Sequence, residues 1–173
     1  MRLVTFSLPS KPDFRLGALV NDDEKIIDLT AAAHNLDADM ADFASMLDLI
    51  DAGPAALDRA RVLCDRVLQD GVEPAIHASS HATLHAPLPN PRRLRDCTCF
   101  LQHLRNARAV RYTRLAAREA DPDAAMAKFR ASGALEVPAE WEAAPVYLNS
   151  NHLSIIGPDD DIAWPDEARR MDY

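Results

Sequence analysis

The chain has 173 residues, 48% hydrophobic and 27% charged, which are the proportions of a globular protein and not of a disordered one. That length builds one ordinary domain, or one small domain and part of another. A formal net charge of -8 argues against a nucleic-acid surface, which needs clustered cations, although Arg92, Arg93, Arg95, Arg105, Arg108, Arg111 and Arg114 make one local basic stretch.

In chain order, residues 2 to 8 alternate weakly and are rich in Leu, Val, Thr and Phe, so a strand is expected. Pro9-Ser10-Lys11-Pro12-Asp13 reads as a turn, Arg15 to Val20 as a second strand, Asn21 to Glu24 as a tight turn and Lys25 to Leu29 as a third strand. Together they predict a small antiparallel meander. Thr30 is the expected cap of a short helix through His34. Met40, Phe43, Met46, Leu47 and Ile50 recur at three- and four-residue steps, which predicts a helix over about 40 to 51, stopped at Gly53. Pro54 suits the first turn of the next helix, which carries Leu57, Ala60, Val62, Leu63, Val67 and Leu68 and ends near Gly71. Cys64 lies on or beside that apolar stripe and reads as a small core residue.

His77, His81 and His85 stand four residues apart, a spacing that on a helix presents three imidazoles to a zinc ion. The surrounding Ser79-Ser80, Pro87 and Pro89 favour an irregular surface segment or a strand instead. Pro87-x-Pro89-x-Pro91 makes a stiff connector, and the expected domains are 1–86 and 87–173. From Cys97 to about Glu119 the pattern is helical, with Phe100, Leu104, Ala107, Val110 or Arg111, and Leu115 as its buried stripe. Asp121-Pro122-Asp123 opens another helix over Ala124 to Ala131, ended by Gly133. A loop with Trp141 follows, then short strands at Pro145 to Leu148 and Leu153 to Ile156, and a turn at Gly157 to Asp161. The three consecutive aspartates of that turn lack the alternating spacing of a calcium loop and read as a solvated turn. The expected class is therefore α+β: a strand meander with covering helices, a helical segment, and further strands.

Three cysteines without framework spacing fit reduced thiols in the cytoplasm. The opening Met1-Arg2-Leu3-Val4-Thr5-Phe6-Ser7 is too short an apolar run for a secretory signal, and no segment approaches about 18 consecutive apolar residues, so no membrane partner is expected.

The richest stretch is Arg95 to His103. If it is helical, the seven steps from Asp96 to His103 leave the two side chains roughly 20° apart around the axis and about 10 Å along it. One face then carries a hard oxygen ligand and a base near neutral pH. The same geometry sets the thiols of Cys97 and Cys99 about 200° apart, which disfavours a soft-metal site.

Pro87-Leu88-Pro89-Asn90-Pro91-Arg92-Arg93-Leu94-Arg95-Asp96, then Phe100 and His103, Pro145-Val146-Tyr147, Ile156-Gly157-Pro158-Asp159-Asp160, Pro165 and Met171-Asp172-Tyr173 follow in an order that resembles the fumarylacetoacetate hydrolase family. The resemblance spans residues 84 to 173. It implies that the second domain begins a β-roll of that family, that Asp96 binds Mg2+, Mn2+ or Ca2+, and that His103 is the general base. The implied reaction is cleavage of a carbon–carbon bond in a small β-dicarbonyl, acylpyruvate-like acid, and the implied assembly is a homodimer. Decarboxylation, hydration and isomerisation are alternatives on the same cation, and a non-catalytic interaction module is another. So is a cation- or oxyanion-binding domain using Asp96, Asp172 and the basic helix. Two departures are visible. Position 101 is Leu where relatives often carry an acid, and the Glu-x-Glu ligands that follow Leu-Asp-Tyr in the family are missing after Tyr173. The expectation is the N-terminal part of a longer enzyme, inert by itself.

Overall fold

A computed structural model describes residues 1–170, so Met171, Asp172 and Tyr173 of the resemblance lie outside the described residues. The fold is α+β, and the chain divides into two compact units, Met1–Arg92 with the segment from His152, and Arg93–Asn151.

The first unit opens with β1 (Arg2–Leu8), β2 (Lys11–Val20) and β3 (Lys25–Asp28). β1 pairs antiparallel with β2, and β2 with β3, so the meander forms. The first turn is tighter than expected, because Lys11 already pairs with Leu8. The second turn holds Asn21, Asp22 and Asp23 at φ of 52°, 50° and 71°. Short Asn and Asp side chains tolerate that left-handed backbone better than other residues do.

Helix α1 spans Leu29–Asn35, and Asp28, not Thr30, is its cap: the Ala31 amide donates to Asp28 Oδ1 at 2.9 Å. The end of β3 leaves Asp28 extended just ahead of the helix, which frees Thr30 to donate its hydroxyl to the Phe43 carbonyl at 2.6 Å. The single helix expected over 40 to 51 is interrupted. A 3-10 turn at Ala41–Phe43 precedes α2 (Met46–Ala52), because Ser45 is extended and caps α2 through the Asp48 amide. Gly53, at φ 76°, reverses the chain into α3 (Pro54–Asp70), and Gly71 in the left-handed region ends it. The buried stripe of α3 is Ala56, Ala60, Leu63, Cys64 and Val67, while Val62 and Leu68 point outward.

β4 (Ile76–Ala78) and β5 (Thr83–His85) complete a five-stranded sheet among the described residues, in the order β4-β3-β2-β1-β5. The larger core joins Leu16, Ala18 and Ile27 of the sheet to α1, α2 and α3, and a smaller one gathers Phe6, Leu8 and Ile26.

The proline connector belongs to this first unit. Thr5 donates its hydroxyl to the Pro87 carbonyl at 2.8 Å, Leu88 packs on the larger core, and Arg92 pairs with Asp51. The break therefore falls after Arg92 and not after residue 86. Residues 87 to 173 are also not one unit. The chain returns to β5 at Gly157, where an added Cβ would lie 3.0 Å from the Leu84 carbonyl. The segment Leu153 to Ile156, expected as a strand, is irregular.

The second unit holds β6 (Leu94–Cys97), α4 (Leu101–Ala116), α5 (Pro122–Ala131), α6 (Glu140–Ala143) and β7 (Tyr147–Ser150). β6 and β7 make a two-stranded ribbon. Asp121 caps α5 through the Ala124 amide, Tyr112 meets Phe129 at 5.0 Å, and Arg108 donates twice to the Ala134 carbonyl. The stripe expected on α4 is only partly realised: Leu104 and Leu115 are half-buried, Phe100 and Val110 are exposed, and Ala116 is the buried residue of the helix. No helix among the described residues is long and apolar enough to cross a membrane.

Candidate functional site

Asp96 and Cys97 lie on β6, where they pair with Leu148 and Tyr147 of β7. Helix α4 begins only at Leu101, with Phe100 at its cap position. The shared helical face expected for Asp96 and His103 therefore does not exist. Pairing with a strand about fifty residues later holds Asp96 in extended backbone, and local periodicity carries no trace of so distant a partner.

The two side chains nonetheless line one open hollow of about 580 Å³, Asp96 from the ribbon and His103 from the first turn of α4. Thr98, Gln102 and Asn106 share its wall, and Gln102 donates to the Asn106 side-chain oxygen at 2.9 Å. Both Asp96 and His103 are exposed, and no ion pair joins them to each other among the described residues. Below Asp96, the Arg95 guanidinium lies 4.4 Å from the centre of the Tyr147 ring, a cation–π contact across the ribbon. Thr98, Gln102 and Asn106 carry no motif or charge that marks them as site residues in the sequence. Asn106 was within reach, since it stands one helical turn beyond His103.

The donor set decides what the hollow can hold. Hard divalent cations take six or more oxygens, several of them carboxylate. Here there is one carboxylate, one hydroxyl and two amides, and among the described residues no three His, Cys, Asp or Glu side chains are grouped to hold a metal ion. These residues alone do not fit Mg2+, Mn2+ or Ca2+.

The three-histidine alternative comes apart in the fold. His77 sits on β4 and His85 on β5, at opposite edges of the sheet, while His81 lies in a 3-10 turn between them. His85 shares a 2.8 Å hydrogen bond with the Ser7 hydroxyl, under the Phe14 ring. The His77 Nε2 is buried without a hydrogen-bond partner, 3.9 Å from the Asp28 carboxylate. That carboxylate is fully buried and also binds the Arg15 guanidinium at 2.5 Å. Burial pushes the His77 imidazole below its ordinary pKa, and the nearby Asp28 charge opposes that shift. In the aspartate turn, Asp160 accepts a hydrogen bond from the Gly157 amide at 2.6 Å.

No protein-family model and no curated protein matches the chain.

Proposed function

We propose that this chain supplies a metal-ligand carboxylate, Asp96, and a general base, His103, to a divalent-metal-dependent hydrolase of the fumarylacetoacetate hydrolase type. The substrate is a small β-dicarbonyl, acylpyruvate-like acid, cleaved at a carbon–carbon bond by a cytoplasmic homodimer. The observation that carries the reading is that Asp96 and His103, from different elements, line the same hollow. Its volume of about 580 Å³ lies in the range of small-molecule sites.

The work assigned to the chain's own residues follows from their chemistry. The exposed His103 imidazole can hold a water molecule and take its proton. Gln102 and Asn106 offer amide groups to orient the carbonyl oxygens of a bound acid. The remaining oxygen donors for the cation have to come from outside the described residues.

The test adds Mn2+ to the 173-residue chain and follows its amide resonances. Millimolar Mn2+ is expected to broaden the signals around Asp96 and His103, and Asp96→Asn to abolish the effect; no broadening at tens of millimolar removes the metal site. Acylpyruvate turnover is expected from the protein as its gene expresses it in the native host. There, His103→Ala should lower kcat by about 10²–10⁴-fold. Turnover by the isolated chain with Mg2+ would contradict the need for further ligands.

A second reading, a non-catalytic interaction module, is favoured by Phe100 and Leu148, which are 80% and 72% exposed in the second unit. Light scattering across a dilution series tests it: a module that pairs with itself holds a defined mass, whereas uncovered apolar side chains aggregate without one.

A further inference from the structure

Cys97 and Cys99 look unpromising as a pair only while the stretch is taken as helix. In the fold Cys97 ends β6, and the ladder runs on past it, the Thr98 amide donating to the Val146 carbonyl at 3.1 Å. Phe100 is still extended, at φ -93° and ψ 101°. Extended backbone alternates its side chains with a period of two. Cys97 and Cys99, two residues apart, therefore fall on the same side, and both are exposed. Both line the hollow of Asp96 and His103, and both are free thiols. Cys64 is the internal contrast, a buried thiol pushed up to about 11 by burial, with the reactivity of a core residue.

We propose that Cys97 and Cys99 form a reversible dithiol site that closes to an intrachain disulfide under a peroxide-class oxidant, in the wall of the hollow that holds Asp96 and His103. In the first step one thiol takes an oxygen atom from hydrogen peroxide, giving a sulfenic acid and releasing water. In the second the other thiol attacks that sulfur, the S–S bond forms, and the sulfenic oxygen leaves as a second water. Two thiol hydrogens and one peroxide are consumed.

Three Cα atoms of extended chain span about 6.6–7.2 Å. A disulfide prefers roughly 4.4–6.8 Å, so closure contracts the backbone at the end of β6. A bond formed under such strain is easily reduced, which suits a switch better than a staple. Contraction also bends the chain between Asp96 and α4 and so moves the carboxylate relative to His103. The site does not depend on whether Asp96 binds a cation.

The test treats the reduced, dilute chain with hydrogen peroxide and measures intact mass and the tryptic peptide running from Asp96 to Arg105. The expected result is loss of two hydrogens within that peptide, recovery with glutathione, and full alkylation of Cys64 after unfolding. Cys97→Ser should instead leave Cys99 as a sulfenic acid that dimedone captures. The amide signals of Asp96 and His103 should shift on oxidation and return on reduction. Oxygen atoms added to either wild-type thiol without the bond, covalent dimers through these cysteines, or unreacted thiols would each overturn the proposal.

Discussion

Single side chains in the first unit carry the sharpest consequences. Gly17 faces a fully buried wall, where an added Cβ would lie 2.7 Å from Ile26 and 2.8 Å from Phe6. Gly17→Ala must displace both, and overpacking of this kind costs about 1–3 kcal/mol, to be read as a lower urea midpoint with unchanged slope. His77 makes stability depend on pH. Its imidazole is held neutral by burial, with Asp28 opposing and Lys11 and Arg15 reinforcing that shift. Above the ordinary histidine value of about 6.5 the group is neutral in both states and contributes nothing to the slope. As pH falls below that value the unfolded chain takes up a proton that the fold resists, so stability drops until the folded pKa is passed. The urea midpoint should therefore fall between about pH 7 and pH 5, and His77→Gln should flatten that fall. Parallel curves for the two proteins would show that His77 is not the titrating group.

Among the helices and strands, those of the second unit depend on few contacts. α5 is tied down by its Asp121 cap and by Phe129 against Tyr112. Asp121→Ala removes the cap and should cost about 1 kcal/mol, visible as faster amide exchange in the first turn of α5. The β6–β7 ribbon has two strands, and a ribbon of that size is marginal alone. Its amides are expected to exchange well before those of β1, β2 and β3, and equal protection would mean that the ribbon is held by something more than its own pairing. The boundaries of these pieces were readable to different degrees. Gly53, Pro54 and Gly71 announced the turn into α3 and its end, because each acts through its own backbone. The cap of α1 is not legible by residue type, since Thr30 and Asp28 both suit the position. Asp28 takes it because pairing with Gly17 sets where β3 ends.

Both buried cores lie in the first unit, and the described second unit has Ala116 as its buried apolar residue. Cooperative stability follows buried apolar area, so the two units should not open together. Limited trypsin digestion is expected to cut first between Arg93 and Asn151, a region with nine Arg and Lys residues, while β1 to β3 stay intact. First cleavage at Arg15 or Lys25 would contradict that order.

The meander, the amphipathic α3 and the turns between them followed from neighbouring residues, because hydrophobic period and backbone preference act over a few positions. The placement of the reactive groups did not. Asp96, Cys97 and Cys99 owe their orientation to hydrogen bonds with residues 146 to 148, and His77 and His85 are parted by the strands they join. A strand takes its identity from its partner, and the side-chain period of two that follows turns a pair of opposed thiols into a pair on one side.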